Sequence, residues 1–376
     1  MEEKKLFLLD AYALIYRAYY ALVRNPRITS DGRNTSAIFG FCNTLDDILR
    51  KENPPFMAVC FDPPHGKTFR HEVYADYKAQ RDKQPEDITF AIPYIKEIIE
   101  AYGIKVIELE NYEADDVIGT LATEASVDGS FVTYMMTPDK DFGQLVKDNV
   151  LMYRPALKGK DFEIRGPQQV CERYGIQTPL QVIDLLALEG DVSDNIPGCP
   201  GVGEKTAAKL ISEWGSVENL LDNVDSLKGA LKTKIAENAD QIRFSKYLAT
   251  IKTDVPLNLS PNDLERGEQN VEKLTAIFND LEFKSFLARL RPSKTEEAPQ
   301  SLFDSEPDLF SQPVSHREYS VEPIFADTTE RIAGFIGKII NKGDIPAVSV
   351  YADGDEAMTA RLRAIAISGG RATALC

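Results

Sequence analysis

Short apolar runs alternate with longer amphipathic segments over the first 150 residues of the chain. The runs are rich in Val, Ile, Leu, Met and Phe, a composition typical of strands buried on both faces of a parallel sheet. They are residues 6–9, 56–61, 104–109 and 131–137. Between them, residues 35–50 and 87–103 carry apolar side chains at helical spacing. This alternation predicts an α/β domain with a doubly wound, mostly parallel sheet.

Helical spacing replaces the strand pattern from about residue 167 to residue 290. Residues 180–190 and 204–214 each predict an amphipathic helix, and residues 231–251 predict one long helix. We therefore expect a short helical subdomain that packs on the α/β core.

The composition changes again beyond residue 290. Residues 291–316 are rich in Pro, Ser and acidic side chains and have little apolar periodicity, which predicts a flexible linker. Apolar periodicity returns in residues 317–376, but about 60 residues are too few for a complete α/β domain. We interpret this tail as the beginning of a second α/β domain, cut short.

Composition also narrows the functional class. A chain of 376 residues is long enough for two or three domains. Asp10 interrupts the short apolar run near the N-terminus, which fits neither a secretory signal nor a membrane-spanning helix, so we expect a cytoplasmic protein with no membrane partner. Five scattered cysteines and three histidines suggest neither disulfides nor a zinc site. Any metal is therefore expected to have oxygen ligands.

The net charge of −16 at first argues against a nucleic-acid partner. Residues 1–292 contain 35 Lys and Arg residues against 46 Asp and Glu residues, and nine of these acids belong to the motifs described next. Without those nine, the surface is nearly neutral and can carry local basic patches. The acidic composition therefore does not exclude DNA.

Acidic side chains occur where predicted strands end or predicted helices begin. Parallel strands end at one edge of a sheet, where open α/β folds bind their ligands, so we expect these acids to converge. A further pair, in the sequence GDVSDN, follows a helix of the helical subdomain. The nine residues are Asp10, Asp62, Glu113, Asp115, Asp116, Asp139, Asp141, Asp191 and Asp194.

Nine carboxylates in one cleft would repel one another strongly without cations. Mg²⁺ or Mn²⁺, which prefer oxygen ligands, are the natural counter-charge, and two such ions can hydrolyse a phosphodiester without His or Cys. The alternative is that each acid only caps a helix or faces solvent. Their common edge favours a metal site, because caps need no shared edge.

A glycine-rich loop precedes the second helix of the helical subdomain. Gly198, Gly201 and Gly203 permit a close backbone approach, and the helix behind them carries Lys205 and Lys209. This pattern predicts a helix-hairpin-helix that binds DNA phosphates without reading bases. An ordinary Gly/Pro turn is one alternative. A nucleotide-binding loop is another, disfavoured because the glycines follow a helix and lack Walker spacing.

Residues 66–83 combine cations with aromatic rings. The spacing of residues 70–81 would place several of them on one side of a helix, where cations bind phosphates and rings stack on an unpaired base. A solvated amphipathic helix is the equal alternative. The helix after Asp10 could extend this surface. The candidate contacts with DNA in these two regions are Arg17, Lys67, Arg70, Tyr77, Lys78 and Arg81.

Six motifs, in this order, resemble the 5′-nuclease domain of bacterial DNA polymerase I. They are LLDAYALIYRAYYAL, FDPPHGKTFRHEVYADYKAQR, YEADDVIGTLA, TPDKDFGQLV, GDVSDNIPGCPGVGEKTA and LATIKTDVPL. The similarity runs from residue 1 to about residue 290. Pro138, where relatives often have Gly, and Gln80, where Asn is usual, depart from the pattern, and neither removes an acid.

The resemblance implies a PIN-like α/β nuclease core at residues 1–180, with a gateway at 64–90, and a helix-three-turn-helix (helix-hairpin-helix) subdomain at 181–290. It further implies structure-specific hydrolysis of DNA at 5′ flaps, nicks and gaps, and removal of RNA primers in replication and repair. The implied enzyme is monomeric and associated with the bacterial nucleoid.

The resemblance also implies roles for the candidate residues. It assigns four acids to one Mg²⁺ (Asp10, Asp62, Glu113 and Asp115) and four to another (Asp139, Asp141, Asp191 and Asp194), with Asp116 between the sets. Lys78 and Arg81 match the gateway cations that contact the attacked phosphate and stabilise its charge. Residues 198–203 match the loop that grips the uncut strand, in relatives through a K⁺ ion held by backbone carbonyls.

The tail from residue 317 resembles the beginning of a 3′-5′ exonuclease-like domain. An active proofreader has Asp-x-Glu in its first strand, whereas here Tyr351 replaces the first acid and Asp353 follows, so we expect no proofreading. We also expect no DNA synthesis, since the polymerase domain is absent. Linker residues 300–303 and 308–310 loosely resemble sliding-clamp peptides, a match that arises easily by chance.

Two other functions stay open on the sequence alone. One is a DNA-structure binder that has lost turnover, which the complete set of acids disfavours. The other is a PIN-type ribonuclease that acts on RNA alone, which the hairpin and gateway disfavour.

Overall fold

The computed structural model describes residues 4–155 and 162–290, and the backbone of four short strands between residues 324 and 375. The chain divides into two compact units, Met1–Leu302 and Phe303–Cys376. The predicted linker at 291–316 lies outside the described residues, and the predicted domain boundaries stay predictions.

A six-stranded sheet forms the centre of the first unit. Its strands are β1 (Lys4–Asp10), β2 (Phe56–Phe61), β3 (Lys105–Glu108), β4 (Phe131–Met136), β5 (Val150–Pro155) and β6 (Phe162–Arg165). The order is β3-β2-β1-β4-β5-β6, and all neighbours are parallel except the edge pair β5 and β6. The doubly wound, mostly parallel sheet is therefore confirmed. The sequence pattern missed β5 and β6; β6 has only four residues and buries none of them fully.

Both faces of the sheet are covered at its centre, which explains why β1 and β2 contain continuous apolar runs. Along β1, Leu6 and Leu8 belong to one hydrophobic cluster, and the alternating Phe7 and Leu9 belong to another. The first unit begins with five helices: α1 (Ala11–Leu22), α2 (Ser36–Lys51), α3 (Phe69–Val73), α4 (Glu86–Ala101) and α5 (Ala114–Asp128). Residues of α1, α2 and α4 pack against Phe7 and Leu9, and residues of α5 pack against Leu6 and Leu8.

Eight further α-helices follow the sheet within residues 162–290. They are α6 (Pro167–Tyr174), α7 (Val182–Glu189), α8 (Glu204–Trp214), α9 (Val217–Asp222), α10 (Gly229–Glu237), α11 (Ala239–Ala249), α12 (Val271–Asp280) and α13 (Lys284–Leu290). Residues of α7 to α11 share the cluster with α5, whereas α12 and α13 return to the cluster of α1, α2 and α4. None of the helices within the described ranges is long and apolar enough to cross a membrane.

The prediction of one long helix at 231–251 is wrong. Two helices, α10 and α11, meet at Asn238, whose backbone leaves helical geometry at φ −108° and ψ 17°. The Asn238 side chain donates a hydrogen bond of 2.8 Å to the Lys234 carbonyl, which competes with continuation of the helix.

The prediction of a helix over residues 70–81 is also wrong. Helix α3 ends at Val73, and Tyr74 is extended at φ −144° and ψ 95°. Lys78 then adopts a left-handed backbone at φ 56°. Its backbone N–H donates to the Asp194 carbonyl at 3.0 Å, so a tertiary contact replaces the helical hydrogen-bond ladder.

The second unit contains a four-stranded sheet in the order β7-β10-β9-β8. The strands are β7 (Ile324–Phe325), β8 (Ala347–Asp353), β9 (Arg361–Gly369) and β10 (Ala372–Leu375). Strand β9 is antiparallel to both of its neighbours, and β10 is parallel to β7. The register of β8 shifts between Tyr351 and Ala352. The predicted loss of proofreading is not tested by this backbone.

Candidate active site

Acidic side chains line a crevice of about 480 Å³ at the carboxyl edge of the sheet in the first unit. Asp10 is the last residue of β1, Asp62 follows β2, Asp139 follows β4, and Asp115 lies in the first turn of α5. The sheet therefore brings these four acids together, as its topology requires. The charged and aromatic lining comprises Asp10, Tyr12, Tyr16, Asp62, Lys78, Arg81, Asp82, Asp115 and Asp139.

Backbone and hydroxyl donors fix the acids at the ends of β1 and β2. Asp10 is the N-cap of α1, and its Oδ1 accepts from the Ala13 N–H at 3.2 Å. The other oxygen of Asp10 accepts from the Thr137 hydroxyl at 3.0 Å. Asp62 Oδ1 accepts from the Ala114 N–H at 2.9 Å. Helix capping and a position in the crevice are thus compatible for Asp10.

The acids after β4 approach those of the helical subdomain. Asp139 Oδ1 accepts from the Asp141 N–H at 3.0 Å. Asp141 Oδ1 is buried and has no hydrogen-bond partner, which leaves an acceptor that requires a cation or a donor. Lys140, between the two acids, lies with its Nζ 2.9 Å from Asp191 Oδ2 and 3.7 Å from Glu189 Oε1. Lys140 therefore links the loop after β4 to the loop after α7.

Burial and mutual repulsion disfavour the ionised forms of Asp10, Asp115 and Asp141. Burial, followed by the charge of Asp62, raises the pKa of Asp10 to about 7. Burial also raises the pKa of Asp115 well above its ordinary value, with Asp10 and Asp139 adding to the effect. For Asp141, burial and then the charge of Asp139 raise the pKa in the same way. These side chains need nearby positive charge to ionise together at neutral pH.

Local cations act in the opposite direction on the acids of the helical subdomain. Burial opposes ionisation of Asp194, but Lys78 and Arg81 outweigh it and lower the Asp194 pKa. For Asp191, burial is likewise outweighed by the Ser193 hydroxyl and Lys140, so its pKa is lowered.

Lys78 and Arg81 hold this side of the crevice together. Lys78 Nζ donates to Glu113 Oε1 at 2.8 Å, and Arg81 Nη2 donates to Asp194 Oδ1 at 2.5 Å. The Tyr77 hydroxyl lies 3.2 Å from Glu113 Oε2 and 3.1 Å from Asp194 Oδ2. The predicted gateway cations are therefore in the crevice, in contact with predicted metal ligands.

The carboxylate oxygens of the crevice suit hard divalent cations, but they do not form a complete coordination site in this structure. Within the residues that the structure describes, no group of three or more His, Cys, Asp or Glu side chains is close enough to hold one metal ion. The carboxylates nevertheless share one edge, and Asp141 Oδ1 is a buried acceptor without a partner. Carboxylate oxygens are the ligands that Mg²⁺ and Mn²⁺ prefer.

Three predicted site residues are internal rather than exposed. Asp116 is 0% exposed, and both its oxygens accept from Arg70, so the prediction that Asp116 binds metal is wrong in this structure. Arg70 is 2% exposed, which excludes the predicted contact with DNA. Tyr77 is 3% exposed and cannot stack on a base. Arg17 and Lys67 are exposed, as a DNA contact requires.

The glycines of the hairpin differ from one another. Gly198 is buried at φ +60°, and a Cβ there would lie 2.3 Å from the Gly190 nitrogen, so Gly198 serves packing rather than direct contact with DNA. Gly201 at φ +75° and Gly203 are exposed. Gly203 is the N-cap residue of α8, whose first helical turns carry the exposed Lys205 and Lys209.

Three residues of the site escaped the sequence analysis. Lys234 Nζ lies next to Gly201, since a Cβ added to Gly201 would be only 2.5 Å from it. Lys234 is exposed and is therefore an additional cation at the hairpin. No local sequence signal links Lys234 to a loop more than 30 residues earlier. Tyr12 lines the crevice, one helical turn before Tyr16. Lys140 could have been found from the sequence, because it lies between the predicted metal ligands Asp139 and Asp141.

Comparisons with known proteins identify relatives of the chain in sequence and in fold. The family profile described as "5'-3' exonuclease, N-terminal resolvase-like domain" matches residues 5–175, and the one described as "5'-3' exonuclease, C-terminal SAM fold" matches residues 177–272. The 5'-3' exonuclease of Aquifex aeolicus is 39% identical over 300 residues, which are 80% of this chain and 100% of that protein.

DNA polymerase I of Bacillus subtilis is 46% identical over 307 residues, which are 81% of this chain and 34% of the polymerase. The chain thus spans about a third of that relative's length. Among solved structures, T5 5'-exonuclease with bound zinc has a TM-score of 0.54 at 18% identity, and the match covers 76% of this chain and 98% of that one. The catalytic core of Rad2 in complex with DNA substrate has a TM-score of 0.51 at 18% identity, with 77% and 93% covered.

The two solved structures support the fold, and the sequence relatives support the family. The predicted PIN-like α/β fold with a helical subdomain and the predicted resemblance are both confirmed. The chain belongs to the 5′-3′ exonuclease family of nucleases, to which the nuclease region of bacterial DNA polymerase I also belongs.

Proposed function

We propose that residues 1–290 form a structure-specific 5′-nuclease that hydrolyses DNA phosphodiester bonds at 5′ flaps and nicks. The observation that carries this proposal is the crevice in which acids from the ends of β1, β2 and β4 and the start of α5 face Lys78 and Arg81. A phosphodiester carries negative charge, which the cations attract and the acids alone would repel. The arrangement therefore suits a phosphate that contacts Lys78 and Arg81 on one side and metal ions held by the acids on the other.

We further propose that the acids hold two Mg²⁺ or Mn²⁺ ions. When bound, two such ions lower the pKa of water and neutralise charge on the attacked phosphate and the leaving oxygen. The residues that would hold them are Asp10, Asp62, Glu113, Asp115, Asp139, Asp141, Asp191 and Asp194. Asp116 is not included, because its oxygens already accept from Arg70, Glu113 and Lys252.

The chain's own side chains prepare the site in two ways. Hydrogen bonds from Ala13, Thr137 and Ala114 orient Asp10 and Asp62 before any phosphate arrives. Lys78 and Arg81 line the crevice and would stabilise the negative charge that develops on the phosphate during cleavage.

DNA is the proposed partner of the surface beside the crevice. The exposed Gly203, Lys205, Lys209 and Lys234 would contact the phosphates of the uncut duplex, and backbone carbonyls of loop 198–203 could hold a K⁺ ion there. The exposed Arg17 and Lys67 would contact the strand that enters the crevice. Because these contacts are to the backbone, we expect selection of DNA structure rather than sequence.

Within the cell, we propose that the enzyme removes RNA primers and repairs nicked or gapped DNA as the N-terminal part of a DNA polymerase I. We propose a monomer in the nucleoid-associated cytoplasm of a bacterium, with a nuclease core at 1–180, gateway at 64–90, helix-hairpin-helix at 181–290, linker at 291–316 and an inactive exonuclease-like segment at 317–376. The clamp-like peptides at 300–303 and 308–310 lie outside the described residues. DNA synthesis is not part of the proposal.

The test is cleavage of a 5′-labelled flap by Asp115→Ala and Asp141→Ala in the presence of Mg²⁺. We expect both variants to lose cleavage by at least about 100-fold while retaining DNA binding. Asp128→Ala is the matched control, because Asp128 is exposed at the opposite end of helix α5 from Asp115. Wild-type cleavage rates in both active-site variants would refute the proposal.

A further inference from the structure

Arg70 has an unusually complete set of buried hydrogen-bond partners. It lies in α3, at the base of the predicted gateway, and is 2% exposed. Its Nη1 and Nη2 donate to the two oxygens of Asp116 at 2.8 and 2.9 Å. Its Nε donates to the Leu248 carbonyl at 3.0 Å, and Nη2 also donates to the Thr250 carbonyl at 2.9 Å. The guanidinium therefore joins α3 to α5 and to the chain leaving α11.

Asp116 completes the connection from the other side. Its Oδ1 accepts from the Lys252 N–H at 2.8 Å, and its Oδ2 accepts from the Glu113 N–H at 3.1 Å. Asp116 therefore fixes the backbone at the start of α5, directly beside Asp115. The pair of Arg70 and Asp116 is a shared support for three segments that are far apart in sequence.

The support reaches the crevice through Glu113. Arg70 Nη1 lies 3.5 Å from Glu113 Oε2, and Lys78 Nζ donates to Glu113 Oε1. Lys78 follows Arg70 by eight residues in the same gateway segment, so Arg70 anchors the beginning of the segment whose later residue enters the crevice. A shift of α3 relative to α5 would move Lys78 and Glu113 apart.

We propose that Arg70 is a positioning residue that sets the gateway and the helical subdomain against the start of α5, so that Lys78 and Asp115 are held at the same crevice. This inference rests on the proposed nuclease function. Arg70 itself does not touch DNA, because its side chain is buried on all sides by protein groups.

The geometry requires arginine rather than any cation. Arg70 presents a planar fork that binds a carboxylate with two parallel hydrogen bonds and still reaches two carbonyls in other directions. Lysine has three donors on a single nitrogen and cannot span these acceptors at once. Arg70→Lys therefore keeps the charge and removes the positioning.

The test compares Arg70→Lys with Arg243→Lys in flap cleavage at saturating Mg²⁺. Arg243 is exposed and pairs with Asp240 on the surface, so its conservative replacement controls for the exchange itself. We expect Arg70→Lys to lower kcat by about 10- to 100-fold with the KM for the flap within about twofold of wild type, because misplaced groups slow the chemical step. Asp116→Asn, which keeps the side-chain volume, should likewise lower kcat and leave the KM for the flap nearly unchanged.

Hydrogen exchange gives a second readout that does not depend on activity. In Arg70→Lys, the backbone amides of residues 74–85 should exchange faster than in wild type at a temperature well below melting, while those of α12 and α13 should not change. If wild type fails to cleave the flap, the proposed function fails, and this exchange pattern still decides whether Arg70 positions the gateway.

Two results would overturn the inference. A raised KM that depends on salt, with kcat unchanged, would mean that Arg70 contacts DNA after all. A lowered melting temperature with unchanged kcat per folded molecule and unchanged exchange in residues 74–85 would mean that Arg70 only stabilises the fold.

Discussion

The crevice and the hairpin hold charge in opposite ways. In the crevice, the buried Asp10 and the half-buried Asp115 repel each other, so their ionised forms depend on neighbouring cations. At the hairpin, Lys205, Lys209 and Lys234 are exposed around a backbone turn. Charge in a buried site acts strongly on the reaction, whereas exposed charge is screened and acts on association. The difference predicts that crevice variants change kcat and hairpin variants change KM.

The largest effect is expected when Lys78 is removed. Lys78→Ala should lower kcat by about 10²- to 10³-fold, the usual cost of losing one preorganised group that stabilises transition-state charge. Single-turnover cleavage of a 5′ flap measures this directly. Lys83→Ala, an exposed lysine five residues later, is the control and should cleave at the wild-type rate. Equal rates for the two variants would remove Lys78 from the reaction.

The next effect separates two glycines of the hairpin. Gly198→Ala should lower the free energy of unfolding by about 2–4 kcal/mol, because the left-handed backbone and the clash with Gly190 both oppose a Cβ. A Cβ added at Gly203 has no atom within 4 Å, so Gly203→Ala should change the free energy of unfolding by less than about 1 kcal/mol. Urea denaturation of both variants measures the difference. Similar stabilities would contradict the packing role of Gly198.

A smaller effect is expected from the hairpin lysines. Lys234→Ala should raise the dissociation constant for nicked duplex and lower the slope of log affinity against log salt by about one, with kcat unchanged. Lys209→Ala, on α8 of the same hairpin, should lower the slope by a similar amount, because Lys209 is also a proposed phosphate contact. Fluorescence anisotropy over a range of salt concentrations measures the slope for each variant. An unchanged slope in both variants would exclude the hairpin as a DNA surface.

The smallest effect is expected at Lys140, which lies at the border between crevice and surface. Lys140→Met keeps most of the aliphatic chain but removes the ion pair with Asp191, and Lys140 is partly exposed. The free energy of unfolding without divalent ions should fall by about 1 kcal/mol or less. Thermal melting with and without EDTA checks this, and a loss of several kcal/mol would show that Lys140 is a principal support of the site.

The sequence predicts the sheet and the acids of the crevice better than the buried hydrogen bonds, such as those of Arg70 and Asp116, that hold the crevice in place. Strands such as β1 and β2 are predictable because burial on both faces makes them continuous apolar runs. The convergence of Asp10 and Asp62 then follows from parallel topology alone. The positions of these acids could therefore be predicted before any contact was known.

The supports depend on contacts that are distant in sequence. Arg70 and Asp116 look like a DNA contact and a metal ligand because the local pattern cannot show that residues 248–252 cover them. The extended backbone after Val73 has the same origin, since Asp194 accepts the hydrogen bond that a helix would have used. Tertiary hydrogen bonds thus account for the main errors of the sequence analysis.

Mapping the cleavage position on a labelled 5′-flap substrate tests the central claim most directly. With Mg²⁺, we predict cuts near the junction of flap and duplex, products with a 5′-phosphate on the downstream strand, and no cleavage after EDTA. Cleavage that persists in EDTA, or that is absent with both Mg²⁺ and Mn²⁺ while the flap is bound, would contradict the account.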